Sequence, residues 1–302
     1  DFLLSLFYLD IRLFSNHITR TRRMEFTTLK SEASLHHLGI ESGDPRTLAE
    51  FYAKTMQMKM ISSDNGTWHC LGPNRLLVFL KGESQRLSFA AFACRHEQSL
   101  DQIKCRVEKE GLDWKPFKSP YLKDGAFSVL DPDDHTISFG VPVKIKQQND
   151  SLYAPLQHLT LQSLDLQKCI DFYENKLGFA VSDRVINADG ELTTCFLRSN
   201  REHHSLACFK SQRVGMDHHS YEVGNWNLIK DWCDHFSNLG VKLFWGPGRH
   251  GPGNNLFTFI QDCDGNKLEI SAELEIVTDR KPVDWPHEAR TLNLWGDALM
   301  RS

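Results

Sequence analysis

Three residues spread over the second half of the chain, His158, His218 and Glu269, each stand in a short stretch with apolar neighbours of opposite parity. In LQHLTL an extended backbone turns Leu156, His158 and Thr160 to one side and Leu159 and Leu161 to the other. In MDHHSYEV the residues His218, Ser220 and Glu222 oppose His219, Tyr221 and Val223, and in NKLEIS Glu269 points away from Leu268 and Ile270. Two imidazoles and a carboxylate are the facial triad that holds Fe(II) and leaves positions open for a substrate and O2. Of the adjacent pair, His218 is preferred because HHSYEV then registers with HLTLQS, and His219 stands second. Taken singly, each His reads as a hydrogen-bonded strand residue and Glu269 as a surface carboxylate. Only their convergence makes a site.

The elements that must bring them together come in a pattern written twice. SLHHLGIESGDPRTLAEFYAKTMQMKM at 34–60 matches PLQHLTLQSLDLQKCIDFYENKLGFAV at 155–181, pairing His37 with His158 at one constant offset. AFSVLDPDDHTISFGV likewise matches LFTFIQDCDGNKLEIS near the end of each copy. Alternation predicts a half-buried strand over LQHLTLQS, and Leu166, Ile170, Tyr173 and Leu177 follow at helical spacing. Asp44-Pro45 caps the equivalent helix of the first copy; SLDQIKCRVEKEG predicts a helix starting at Ser99 and stopping at Gly111. NWNLIKDWCDHFSNLG takes that part in the second copy, and DPDDH and DCDGN predict hairpin turns. The fold class is α+β, two tandem domains each made of a pair of βαβββ modules. Residues 1–33 are expected to be an extension outside the fold, with Met24 a natural start. Residues 34–142 form the first domain, 154–274 the second, and 275–302 a tail. By the alignment, His37, Phe89 and Ser138 stand where the second copy has its three candidate ligands, so the first domain is expected to be metal-free.

Composition narrows the function classes. A net charge of −4 and a pI near 6.4 give no reason to expect nucleic acid or an anionic membrane as partner. No apolar run approaches the roughly 18 residues of a membrane span. The eight Cys lie without CxxC spacing, several in apolar runs such as LACF, and read as reduced thiols of a cytoplasmic protein.

With these motifs in hand, residues of about 34–296 resemble the type I extradiol ring-cleavage dioxygenases of the vicinal oxygen chelate superfamily. The resemblance implies an open barrel in each domain, with His158, His218 and Glu269 as iron ligands, Fe(II) ahead of Mn(II), and a homo-oligomer. REHHSLACF resembles the segment bearing the family's acid–base His, which the HSLA pattern assigns to His204 over His203. WGPGRHGPGNN resembles the loop of a second active-site His, here His250, which would donate a hydrogen bond to the substrate. Thr160 and Phe259 join His250 as residues expected to face the substrate, and DWPHEARTLNLWG resembles the tail that packs across the site. The implied reaction cleaves an aromatic diol beside its hydroxyls with O2, in aromatic catabolism. One departure stands out: ten residues before Glu269 the family usually has Tyr, and this chain has Phe259. The alternatives are another metal-dependent enzyme of this barrel (a glyoxalase, epimerase or thiol transferase) and a protein that binds a small molecule without reaction.

Overall fold

The computed structural model describes residues 31–63, 65–145 and 151–300. Four times in succession the chain runs strand, helix and three strands. The first module is β1 (Ala33–Ser42), α1 (Pro45–Thr55), β2 (Lys59–Ser62), β3 (Trp68–Gly72) and β4 (Arg75–Lys81). The second is β5 (Leu87–Cys94), α2 (Glu97–Lys109), β6 (Trp114–Pro116), β7 (Phe127–Leu130) and β8 (Thr136–Gly140). The third is β9 (Leu156–Ser163), α3 (Leu166–Ile170), β10 (Ala180–Ile186), β11 (Leu192–Arg198) and β12 (Leu206–Lys210). The fourth is β13 (Gly215–Glu222), α4 (Trp226–Asn238), β14 (Trp245–Arg249), β15 (Leu256–Gln261) and β16 (Lys267–Ala272), after which β17 (Val283–Pro286) and α5 (Ala289–Leu292) form the tail. An eight-stranded sheet runs β2-β3-β4-β1-β5-β8-β7-β6, and a nine-stranded one runs β14-β15-β16-β13-β9-β12-β11-β10-β17.

Local chemistry explains most element starts. Asp44 accepts from the Thr47 amide at 3.2 Å, Pro45 sets the first turn of α1, and Leu48, Ala49 and Tyr52 face inward. Asn225 caps α4 in the same way, and Ile229, Trp232 and Phe236 are its buried stripe. The helix α2 corrects the expectation from sequence, because it begins at Glu97 rather than Ser99. The His96 imidazole accepts from the Ser99 amide at 3.1 Å and takes the capping role. Leu166, Ile170, Tyr173 and Leu177 are buried as their spacing predicts, but past α3 the chain widens into a π turn over Asp171–Lys176. Strand β9 also differs from the half-buried reading: only Gln162 is partly open, because its second face lines a pocket rather than bulk solvent.

The two halves share one core. Each half's last hairpin turns on an Asp that accepts backbone amides, Asp131 from Asp133 and His135, and Asp262 from Asp264 and Asn266. The same carboxylates cross the chain. Tyr52 of α1 donates to Asp262 at 3.0 Å, and Tyr173 of the third module donates to Asp131 at 2.8 Å. At the start of the described chain, buried Ser31 donates its amide to the Gly178 carbonyl.

Candidate active site

Strand pairing decides which side chains meet. Thr160 of β9 lies opposite His218 of β13, His158 opposite Ser220, and Ser220 opposite Glu269 of β16. Side chains from β9, β11, β12, β13, β14, β15 and β16 therefore line a single pocket, which requires the nine-stranded sheet to curl. His158 Nε2 lies 2.9 Å from Glu269 Oε2 and His218 Nε2 lies 3.4 Å from the same oxygen. Their donor atoms all fall within 4.8 Å of one another, and among the described residues this is the one His, Cys, Asp or Glu group so arranged. All three side chains are buried.

Hydrogen bonds fix which nitrogen carries a proton. Asp217 can only accept when ionised, so His218 Nδ1–H donates to it at 2.6 Å, and Lys267 Nζ sits 3.2 Å from its other oxygen. Gln157 gives its amide N–H groups to Glu202 and Glu222, which orients its oxygen towards His158 Nδ1 at 3.3 Å. With Nδ1 carrying the proton, both rings turn Nε2 towards the Glu269 carboxylate. Thr160 Oγ1 lies 3.0 Å from His218 Nε2 and donates to it. Lone pairs facing a carboxylate at such range demand a cation, either a proton or a metal ion. Burial pushes the His158 pKa down, which disfavours the proton. For Glu269, burial would raise the pKa, but the adjacent His158, and after it His218 and His250, favour its ionised form and hold the carboxyl well below the usual carboxylate range. A divalent ion with affinity for imidazole and carboxylate fits this donor set.

The remaining expected residues also reach the cavity. His204 packs on His158 with ring centroids 4.2 Å apart, and burial, then the neighbouring His158 and His203, drive its pKa well below 6.5. Its neighbour His203 faces another way: Nε2–H donates to Asp183 at 3.0 Å, and Nδ1 accepts from His204 Nδ1–H at 2.9 Å. Asp183 also accepts from Arg280, Trp285 and the Val283 amide. His250 Nε2 lies 3.5 Å from Glu269 Oε1, and its Nδ1–H donates to the Leu292 carbonyl of the tail. A neutral His250 thus presents a lone pair, and donation through Nε2, as expected from sequence, requires a doubly protonated ring. Phe259 packs edge-on to His218 at 5.2 Å and stacks on Trp245 at 5.4 Å. His219 points to the opposite face, where its Nε2–H donates to the Tyr52 hydroxyl at 3.0 Å.

Gln157, Asp217, Asp183 and Asn255 (whose Nδ2 donates to Glu269 Oε1 at 3.3 Å) were not singled out from sequence. A signal existed for two of them, a polar residue immediately before each candidate imidazole. In the first half the equivalent register holds: Gly39 lies opposite Phe89, and Ala91 lies opposite both His37 and Ser138. A Cβ on Gly39 would come within 2.2 Å of the Phe89 ring, so that ring occupies the space beside β1. His37 bonds Ser119 and His36 instead.

Residues 156–270 match the Glyoxalase/Bleomycin resistance protein/Dioxygenase superfamily. The chain is 25% identical over 223 residues to metapyrocatechase 2 of Cupriavidus necator, covering 66% of this chain and 68% of that protein. It is 25% identical over 247 residues to an iron-dependent extradiol dioxygenase of Rhodococcus jostii, covering 74% and 81%. In fold it is similar to homoprotocatechuate 2,3-dioxygenase of Brevibacterium fuscum in complex with 3,4-dihydroxyphenylacetate, with TM-score 0.78, 19% identity and coverage of 90% of this chain and 91% of that one.

Proposed function

We propose, from the premise that residues 156–270 are a domain of the Glyoxalase/Bleomycin resistance protein/Dioxygenase superfamily, that this chain is an extradiol dioxygenase. It opens the ring of a catechol beside its hydroxyls with O2. The observation that carries the reading is the pair of Nε2 lone pairs aimed at one buried carboxylate, in a cavity that also holds His204 and His250. His158, His218 and Glu269 would hold Fe(II), with Mn(II) as the other ion the same donors accept. When bound, the ion supplies neighbouring positions for the two catechol oxygens and O2.

The chain's own groups then do the rest. Asp183 holds His203, and His203 Nδ1 accepts a hydrogen bond from His204 Nδ1–H, which leaves the lone pair on His204 Nε2. Because burial keeps that ring neutral, Nε2 can take a proton from a substrate hydroxyl and return it later. The aromatic walls exclude water and align the ring. Phe259 offers no hydrogen bond, so orientation of the substrate oxygens falls to His204, His250 and Thr160. The first domain, 34–142, serves as scaffold. Among the described residues no helix is long and apolar enough to cross a membrane, and all eight cysteines are free, which supports placement in a reducing cytoplasm.

The test is anaerobic reconstitution with Fe(II), then oxygen uptake with a panel of catechols. One O2 consumed per coloured ring-opened product is the expected result. No uptake with any diol, while iron is retained, would move the protein to another reaction of this barrel.

A further inference from the structure

The cavity divides by chemistry in a way that selects the substrate. Its polar lining is the cluster already described, in which His158, His218, His204 and His250 surround Glu269. The walls beyond it are Phe196, Phe209, Trp245, Phe259, Leu292 and Leu299. Among the described residues that line the cavity there is neither Lys nor Arg. Arg249 comes near in sequence, but its guanidinium gives Nη2 to Glu273 at 2.7 Å and Nη1 to the Asn254 carbonyl, and lies over the Trp295 ring at 5.4 Å. Arg290, beside the lining residue Thr291, is exposed and does not line the cavity. An anionic substituent on the substrate ring would thus lose its hydration and find no counter-charge in a cavity that already buries the Glu269 carboxylate. An apolar substituent would gain contact on every side.

Resting on the ring-cleavage reading above, we propose that the substrate is an uncharged catechol bearing an alkyl or aryl substituent, which Phe196, Phe209, Trp245, Leu292 and Leu299 hold. Burying an unpaired carboxylate costs at least about 100-fold in binding. Each buried methylene adds about fourfold. Leu299 is the wall residue best suited to a test, because it is 38% exposed and its replacement leaves the core untouched.

The experiment compares catechol, an alkylcatechol, a phenylcatechol and 3,4-dihydroxyphenylacetate. It measures oxygen uptake on the Fe(II)-loaded protein and, separately, calorimetric binding to the metal-free protein. The expected result is a kcat/KM for the apolar catechols about 100-fold or more above that for the acid, the same order in binding, and a ratio narrowed at least about tenfold in Leu299→Arg. An acid cleaved as well as the apolar catechols, no gain from the substituent over plain catechol, or an unchanged ratio in Leu299→Arg overturns the proposal. If no diol is cleaved, the metal-free binding decides. Tighter binding of the apolar diols upholds the cavity's preference while the ring-cleavage reading fails; equal or tighter binding of the acid, or no binding at all, overturns it.

Discussion

A side chain that aims a lone pair at an ion must have its other nitrogen occupied, and here each imidazole meets that condition through the residue just before it. Asp217 does this with a charge and Gln157 with an amide whose orientation Glu202 and Glu222 fix. Asp217→Asn is expected to weaken iron retention about 10- to 100-fold with the fold intact, checked by metal content after dialysis at graded Fe(II). Glu269→Ala should abolish retention, since it removes the one buried charge that both Nε2 atoms face. Asp183→Asn separates proton handling from metal binding: turnover should fall about 10²- to 10⁴-fold with iron content unchanged. Loss of iron in that variant would show that Asp183 acts on the metal site instead. The three converging side chains were readable, since alternation alone turns His158, His218 and Glu269 off their apolar neighbours. Their supports were not. Strict alternation sends Gln157 and Asp217 to the opposite face, and only real strand geometry lets them bend back to Nδ1. Asp183 lies on β10 and His203 in the loop before β12, and nothing in the spacing announces their pairing.

At the level of the strand, β13 ends in a residue whose ionisation opposes folding. Glu222 accepts from Gly224, Glu273 and Gln157, yet burial raises its pKa from 4.5 to about 7. A raised carboxyl favours its protonated form in the folded state. Its contribution is therefore fully present below 4.5 and is lost as pH climbs through about 7. Glu222→Gln cannot ionise. Relative to the parent it should gain about 3 kcal/mol in stability between about pH 4 and about pH 8, whatever constant offset its amide introduces. Urea unfolding at both pH values measures this, and parallel curves would contradict the assignment. Helix starts show what local rules can and cannot read. Asp44 and Asn225 were legible as caps because their side chains are the usual acceptors. The start of α2 was not, since an imidazole at His96 took the acceptor role that Ser99 was expected to play. The π turn at Asp171–Lys176 escaped for another reason: one extra residue in a turn leaves the apolar spacing almost unchanged.

Over the whole molecule, the repeat visible in the sequence becomes two sheets around a common core, and among the described residues the second alone brings a His, His, Glu group together. That the first half carries Phe89 and Ser138 where the second has His218 and Glu269 was legible from alignment. The crossing between halves was not, because Asp131 and Asp262 are already explained by the turns they close. Tyr52→Phe and Tyr173→Phe should each lower stability by about 1.5–3 kcal/mol, the range for a hydrogen bond to a charged acceptor, as measured by denaturant unfolding. Unfolding should stay a single transition in both variants. The reciprocity of these two bonds has an evolutionary consequence. Each half's turn carboxylate takes one hydroxyl from the other half, so deleting either half would strip a hydrogen bond from a buried carboxylate in the survivor. Whatever chemistry each half carries, the exchange selects for keeping both.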